Sequence, residues 1–164
     1  MNRKTKYGLL LSALLSGCAS QSGVAKNSPL FPFLQTKYYN HYEQEIQIVF
    51  DSQKTDNAVA SAVTGFPIIY FNPEWIGKLS PEKQIFVFYH EIGHFRFDHI
   101  YKVLTDAQYI QAQKEADCYS GKVLRDKLHY NPQQMASIYE LVGPLNGNNS
   151  ERQTSLKNCL ENRF

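Results

Sequence analysis

The residues best suited to chemistry in this chain are His90, Glu91 and His94, which form an H-E-x-x-H pattern. On an α-helix, residues four apart lie on one face, so the two imidazoles can bind the same metal ion. Glu91 lies about 100° further round the helix, which places its carboxylate beside the metal rather than on it. There it can accept a proton from a metal-activated water and return it to a leaving amine. The pattern predicts a site for one Zn²⁺ ion, with His90 and His94 as ligands and Glu91 as the catalytic base and acid.

The residues around this pattern favour a buried helix. Pro81 follows Ser80 at a helix start, and the run from Ile85 to Tyr89 is apolar. Two imidazoles and a carboxylate would be costly to bury there without a cation, although H-E-x-x-H also occurs by chance in unrelated helices. We also expect Gly93 to let another chain segment approach the helix closely. The metal site is therefore preferred over a chance occurrence.

The amino terminus has the pattern of an export signal. Basic residues precede an apolar run, Gly8 to Leu15, which is too short to span a bilayer. The run ends in Leu15-Ser16-Gly17-Cys18, which resembles a bacterial lipobox. We predict that residues 1–17 are a lipoprotein signal peptide and that Cys18 is lipidated; the alternative is an ordinary signal peptide with a chance cysteine. Ala19 after the cysteine favours the outer membrane of the cell envelope, with the mature chain facing the periplasm.

The cysteines that remain after lipidation are an even pair, Cys118 and Cys159. Thiols in the cell envelope tend to be oxidised, so a disulfide between the two is predicted, with two separate buried thiols as the alternative. Residues 18–32 are polar and contain Gly, Ser and Pro, which is typical of a tether. Residues 33–164 are then one domain.

The composition is ordinary for a globular protein, with 43% hydrophobic and 20% charged residues and a net charge of +2. This balance gives no reason to expect nucleic acid as a partner; the predicted partners are a polypeptide substrate and, through the lipid, the membrane. Strand-like runs at 46–50 and 68–71, with helical segments around His90 and at 106–127, indicate an α+β domain. Pro67 marks 68–71 as an edge strand or as a strand's first residue, and an interior strand is equally compatible. An edge strand would bind an extended substrate through backbone hydrogen bonds.

The histidine pattern extends to a longer one, HExGHxxxxH, which ends at His99. With Asn57-Ala58 and the strand at 68–71 upstream, and Ala116-Asp117 downstream, residues 55–128 resemble the HtpX-like, Oma-like and BepA-like zinc metallopeptidases, which are gluzincins. The resemblance implies a small zincin-like domain, in which the zinc helix packs on a short β-sheet and a second helix supplies the third ligand. It also implies a zinc-dependent endopeptidase. Helical geometry points His99 off the metal face, so a structural role is expected for it.

The third zinc ligand of that family is the Glu of an E-x-x-A-D motif, and the corresponding position here holds Gln113. Asp117 matches the family's carboxylate that orients a zinc-binding histidine. Three possibilities remain open, in this order: Gln113 binds zinc through its amide oxygen, Asp117 becomes the ligand, or a distorted helix lets Glu115 reach the metal. An amide is a weaker donor than a carboxylate, so we expect weaker zinc binding and a more acidic water.

Two other functions remain open. The first is a catalytically inactive lipoprotein that binds extended or misfolded polypeptides; Gln113 favours it, and the retention of Glu91 speaks against it. The second is a structural metal site, which usually has four protein ligands, and no nearby Cys or His completes such a set. For the oxyanion of a peptidase reaction, Arg125, His129 and Tyr130 are candidates by chain position alone.

Overall fold

The computed structural model describes residues 28–54, 57–62, 65–142 and 149–161. The predicted signal peptide and the predicted lipidation site, Cys18, lie outside these residues. Packing begins earlier in the chain than predicted: Leu30 is fully buried, and helix α1 (Phe31–Leu34) follows it directly. The last residues of the segment 18–32 therefore belong to the domain rather than to a tether, because an apolar side chain such as Leu30 gains free energy by leaving water.

The sheet has three strands in the described residues, β1 (Gln47–Phe50), β2 (Ala58–Ser61) and β3 (Ile68–Phe71), in the order β1-β3-β2. β3 pairs in parallel with β1 and antiparallel with β2. The edge-strand interpretation of 68–71 is thus wrong, and the interior-strand alternative is confirmed. Pro67 is compatible with the centre of the sheet because it precedes the strand, where its carbonyl accepts a hydrogen bond from the Gln47 N–H and its own missing N–H is not needed.

Six helices and one π-helical turn accompany this sheet in the described ranges, so the domain is mixed α+β. After α1 they are α2 (Pro73–Ile76), α3 (Pro81–Arg96), α4 (Asp106–Lys122), the π turn (Val123–Lys127), α5 (Pro132–Leu141) and α6 (Asn149–Glu161). α4 begins at a capping box, in which the side chains of Thr105 and Gln108 each bond the other's backbone. None of the helices in these ranges is long and apolar enough to cross a membrane.

α3 is the central helix of the core. Phe88, Ile92 and Phe95 are buried along one of its faces, at the spacing of a helical stripe. The ring of Phe88 stacks on Phe71 of β3, with the centroids 6.1 Å apart. This face packs α3 on the sheet, so the H-E-x-x-H residues point towards β2 and α4.

Gly93 sets the distance between α3 and α4. A Cβ atom at this position would lie 3.1 Å from the Cα atom of Ala116 and 3.3 Å from the ring of Tyr119. The segment that Gly93 admits is therefore α4. Because Gln113 and Asp117 lie within one turn of Ala116, this close approach brings both of them against the histidines of α3.

α6 is attached to α4 by the disulfide between Cys118 and Cys159, whose Cα atoms lie 5.9 Å apart. Leu156 and Leu160 of α6 are buried at the same interface, where they contact Gly121 of α4. The two cysteines are therefore paired, as the sequence analysis predicts for an oxidising compartment. Its consequence is that the last described helix packs beside the helix that carries Gln113 and Asp117.

Candidate metal centre

The two histidines of α3 converge on one point. Their Nε2 atoms lie 3.1 Å apart, and both side chains are buried. Their spacing of four residues on one helix produces this convergence, because such residues lie one above the other.

Each imidazole is held at its other nitrogen by a separate partner. Asp117 Oδ1 lies 2.8 Å from His90 Nδ1, at ion-pair distance but without the alignment of a good hydrogen bond. His94 Nδ1 lies 3.1 Å from His99 Nδ1, and His99 Nε2 lies 2.9 Å from Glu115 Oε2. An ionised carboxylate only accepts, so His99 donates through Nε2 and a neutral His99 accepts at Nδ1 from His94. With His99 neutral, both partners favour the tautomer in which the histidine of α3 carries its proton on Nδ1 and its lone pair on Nε2.

This arrangement fits a divalent metal ion. The two Nε2 atoms lie 3.1 Å apart, a spacing that either a hydrogen bond between the rings or a shared cation produces. Two nitrogen ligands at about 2.0–2.1 Å from a tetrahedral zinc ion are separated by roughly 3.3 Å, close to the observed spacing. The geometry of His90 and His94 is therefore compatible with a pair of metal ligands.

The charges around the pair keep His94 in its metal-binding form. Burial, together with His90 and His99, lowers the pKa of His94 to about 2, so His94 is neutral at neutral pH. Burial also opposes protonation of His90, but the adjacent Asp117 outweighs it and raises the pKa of His90. Burial disfavours the charged form of Asp117 as well, yet His90 and Arg152 prevail and lower the pKa of Asp117. Asp117 is therefore a carboxylate that orients His90.

Gln113 occupies the third position. Its side-chain Nε2 lies 3.3 Å from His94 Nε2, and a rotation of the amide by 180° would bring its oxygen, the metal-binding atom, to the same place. Asp117 is bound at the opposite side of His90. Glu115 is bound to His99, and its side chain is 43% exposed. The geometry therefore directs Gln113 towards the histidine pair, and directs neither Asp117 nor Glu115 there.

The described residues contain no group of three or more His, Cys, Asp and Glu side chains that could hold a metal ion. Gln113, the α4 residue that faces the histidine pair, contributes an amide, which is not one of these types.

Glu91 lies beside the pair and is connected to the edge strand β2. The Ala60 N–H donates to Glu91 Oε2 at 2.8 Å, which orients the carboxylate. Burial is the main cause that raises the pKa of Glu91. A carboxylate whose pKa is raised towards neutrality is suited to accept a proton and to give it back.

A cavity of about 860 Å³ opens over these residues. Its walls come from β2, the α3–α4 loop and every helix from α2 to α6, and its apolar lining includes Val59, Trp75, Phe86, Ile100, Leu104 and Tyr109. In an antiparallel pair, successive residues alternate in the direction of their backbone groups. The Asn57 carbonyl accepts from Asn72 N–H, and the Ala60 N–H points to Glu91, so Ala58 and Ala60 present their backbone to the cavity. The cavity therefore has the form of a cleft beside a strand edge.

A comparison with protein families places the chain among metallopeptidase domains. The model of a family described as a putative metallopeptidase domain matches residues 48–144, more than half of the 164 residues. The chain belongs to this metallopeptidase-domain family. Membership implies a metal ion, which agrees with the fit of His90 and His94. No curated protein and no solved structure matches the chain significantly.

The metallopeptidase-domain match begins within β1, includes β2, β3, α3 and α4, and ends before α6. One residue of the site lies beyond it. Arg152 of α6 lines the cavity and donates to Asp117 through Nε and Nη2, both at 2.8 Å. Sequence reasoning missed Arg152 because it is 35 residues from Asp117, and Cys159 was the one signal that α6 packs on α4.

The three predicted oxyanion candidates are not among the described residues that line the cavity. Arg125 is bound to Asp126 and to the Leu160 carbonyl. His129 and Tyr130 follow the π turn. Chain position alone did not identify residues of the site, because these three lie in or after the π turn, which follows the part of α4 that lines the cavity.

Proposed function

We propose that this chain is a zinc-dependent endopeptidase that cleaves extended polypeptides in the cleft beside β2. The observation that carries the proposal is the pair of buried imidazoles with Nε2 atoms 3.1 Å apart next to the buried carboxylate of Glu91. A structural histidine cluster has no need of a general base, of a cleft or of a neighbouring strand edge. All three are arranged around this pair.

His90, His94 and Gln113 would hold the ion, which when bound would polarise the scissile carbonyl and make a water more acidic. Glu91 accepts the proton of the attacking water and returns it to the leaving amine. The hydrogen bond from Ala60 N–H fixes Oε2 of Glu91, which leaves Oε1 for this transfer. Asp117 and the pair His99–Glu115 hold the ligand imidazoles in the required orientation and tautomer.

The edge of β2 is the proposed substrate platform. An extended peptide that pairs with the outward backbone groups of Ala58 and with the Ala60 carbonyl, whose residue's N–H is bonded to Glu91, would add a strand to the sheet, a mode that accepts many sequences. The apolar walls of the cleft, among them Trp75 and Tyr109, would favour apolar side chains. Unfolded polypeptides expose both features, so they are the proposed substrates.

The proposal extends to the architecture and the location. The packing of α3 on a short sheet, with α4 supplying the third position, supports a zincin-like arrangement of the HtpX-like, Oma-like and BepA-like kind. The lipobox pattern at Leu15 to Cys18 supports a lipid-anchored protein of the outer membrane that faces the periplasm. A disulfide between Cys118 and Cys159 is compatible with that compartment.

The Glu91→Gln variant tests the proposal. Because Gln cannot act as a base, cleavage of an unfolded protein substrate should fall by about 10²–10⁴-fold, while zinc content stays near that of the wild type because Glu91 is not a ligand. Metal analysis and a cleavage assay on both purified mature proteins measure this. A wild type that binds zinc and shows no cleavage would contradict a peptidase function.

A binding module is the second candidate, and the neutral Gln113 is the observation that favours it. The same cleft and strand edge would then bind extended chains without cutting them. In that case, wild type and Glu91→Gln would bind an unfolded polypeptide equally and release no fragments. Binding and fragment analysis on the same samples separates the two functions.

A further inference from the structure

We propose that Arg152 is a positioning residue of the metal centre and that the Cys118–Cys159 disulfide keeps it in place. The inference rests on the proposed zinc site, but it concerns α6, which lies beyond the matched residues 48–144. It predicts that the affinity for zinc depends on the oxidation state of the two cysteines.

The contact between Arg152 and Asp117 is a two-pronged ion pair. Both hydrogen bonds are 2.8 Å long, the Asp117 side chain is fully buried, and that of Arg152 is 11% exposed. A planar guanidinium matches a carboxylate in this geometry, which fixes the orientation of both groups. Asp117 Oδ1 in turn lies 2.8 Å from His90 Nδ1. Arg152, Asp117 and His90 thus form a continuous chain of contacts that ends at Nδ1 of His90, across the ring from the Nε2 atom that would bind the metal.

Arg152 also fixes the direction of the Asp117 carboxylate through its two hydrogen bonds. A buried carboxylate that loses such a partner turns towards other donors. This movement would free His90 Nδ1 and allow the other tautomer, in which Nε2 carries the proton and is blocked for a metal ion. Ligand histidines without such a partner typically lose about 10–100-fold in metal affinity.

The disulfide determines whether α6 can supply this arginine. Cys159 lies two turns beyond Arg152 on α6, and Cys118 directly follows Asp117 on α4. The bond therefore joins the two helices beside the residues that form the ion pair. Leu156 packs between these two points. If the bond opens, α6 keeps this apolar contact but loses its covalent attachment, and the ion pair has more freedom to separate.

The test is a competitive chelator titration with zinc on the full mature chain. Arg152→Met should weaken zinc binding by about 10–100-fold, and Arg152→Lys should recover part of the loss because it restores the charge without the two-pronged contact. In an Asp117→Asn background, Arg152→Met should cause no further loss, since Arg152 acts through Asp117. Glu151→Gln is the matched control: it breaks another α4–α6 ion pair, with Lys114, and should leave zinc binding unchanged because the Glu151 side chain is 57% exposed and the pair does not include Asp117.

The disulfide is tested with Cys159→Ser. This variant should weaken zinc binding in the wild-type background and have no effect in the Arg152→Met background. Equal losses in both backgrounds would show that the bond acts by some other route and would overturn this part of the inference. If Arg152→Met weakens zinc binding equally in the wild-type background and in the Asp117→Asn background, the positioning role is overturned.

A measurement on the metal-free protein separates this inference from the proposed function. Nitrogen NMR of the imidazoles should show His90 protonated at Nδ1 in the wild type and a mixture of tautomers in Arg152→Met. If the wild type fails to bind zinc at micromolar metal, the proposed function is wrong, and the NMR comparison still decides the role of Arg152. An identical His90 signal in both proteins would refute that role.

Asp117→Asn combined with Arg152→Met leaves no buried charge unpaired, so it serves as the folded reference where Arg152→Met does not fold.

Discussion

At the scale of single residues, this site differs from the HtpX-like, Oma-like and BepA-like peptidases at Gln113. The side chain there is an amide, whereas those peptidases have a carboxylate at the corresponding position. The side chain of Gln113 approaches His94 Nε2 at 3.3 Å, where the proposed mechanism places the third ligand, and it carries no charge. A neutral oxygen attracts a dication less strongly than an anionic one. The same weakness leaves more positive charge on the ion, which would make its water more acidic. Within the proposed mechanism, Gln113 therefore lowers the affinity for zinc and makes the zinc-activated water more acidic.

Gln113→Glu should raise the affinity for zinc by at least about 10-fold, since even changes outside the ligand shell act on that scale. Competitive chelator titration of the two proteins measures the change. Gln133→Glu is the matched control, because it makes the same substitution at an exposed position at the start of α5. Equal affinities of wild type and Gln113→Glu would show that position 113 does not contact the metal.

At the scale of elements, the site depends on how closely α4 approaches α3. The two histidines and Glu91 come from α3, the third position and Asp117 come from α4, and the Ala60 N–H comes from β2. Gly93 permits the approach of α4 because a side chain there would meet the Ala116 backbone at 3.1 Å. Backbone atoms cannot turn aside as a side chain can, so a larger residue at 93 must displace a helix.

Two opposing effects determine the free energy of unfolding of a Gly93→Ala variant. Ala is favoured over Gly in a helix interior by about 1 kcal/mol, whereas overpacking typically costs about 1–3 kcal/mol. Because the contact is with backbone, we expect net destabilisation in urea unfolding, together with weaker zinc binding as Gln113 moves away. Gly121→Ala is the comparison, since its nearest atoms are side-chain ends of Leu156 and Leu160, and its loss of stability should be smaller. An increase in stability for Gly93→Ala would show that the helices separate without cost.

At the scale of the whole molecule, a covalent bond joins the core to the last described helix. The disulfide closes a loop with a sequence separation of 41 residues. Such a bond stabilises the fold mainly because it restricts the unfolded chain. The proposed lipid anchor would act at the same scale from the other end, since it would hold the domain at a membrane surface.

Reduction should lower the free energy of unfolding by about 2–4 kcal/mol. Urea unfolding of oxidised and reduced protein gives this difference, and the Cys118→Ser, Cys159→Ser double variant should match the reduced protein. If the double variant were as stable as the oxidised protein, the bond would not constrain the unfolded state.

Cys18→Ser tests the lipid anchor. In a bacterial host, the wild type should partition with membranes and the variant should not, because one acyl-modified cysteine is the predicted attachment. Fractionation of cells that express each form measures this. Equal recovery of both forms in the membrane fraction would contradict lipidation at Cys18.

The local part of this site was determined by the sequence alone. His90, Glu91 and His94 lie on one helix, and helical geometry by itself sets their relative directions. The same holds for Gln113 and Asp117, whose spacing of four residues on α4 puts them on one face. The prediction of a mixed α+β domain followed in the same way from the periodicity of apolar residues.

Only the tertiary structure decided which elements meet. It made β2 rather than β3 the edge strand, because the order of strands depends on pairing between distant segments. It turned Glu115 towards His99, and it brought Arg152 of α6 to Asp117 of α4. These contacts depend on how helices pack around Gly93, Gly121 and the disulfide, and no periodicity within a single segment records that packing.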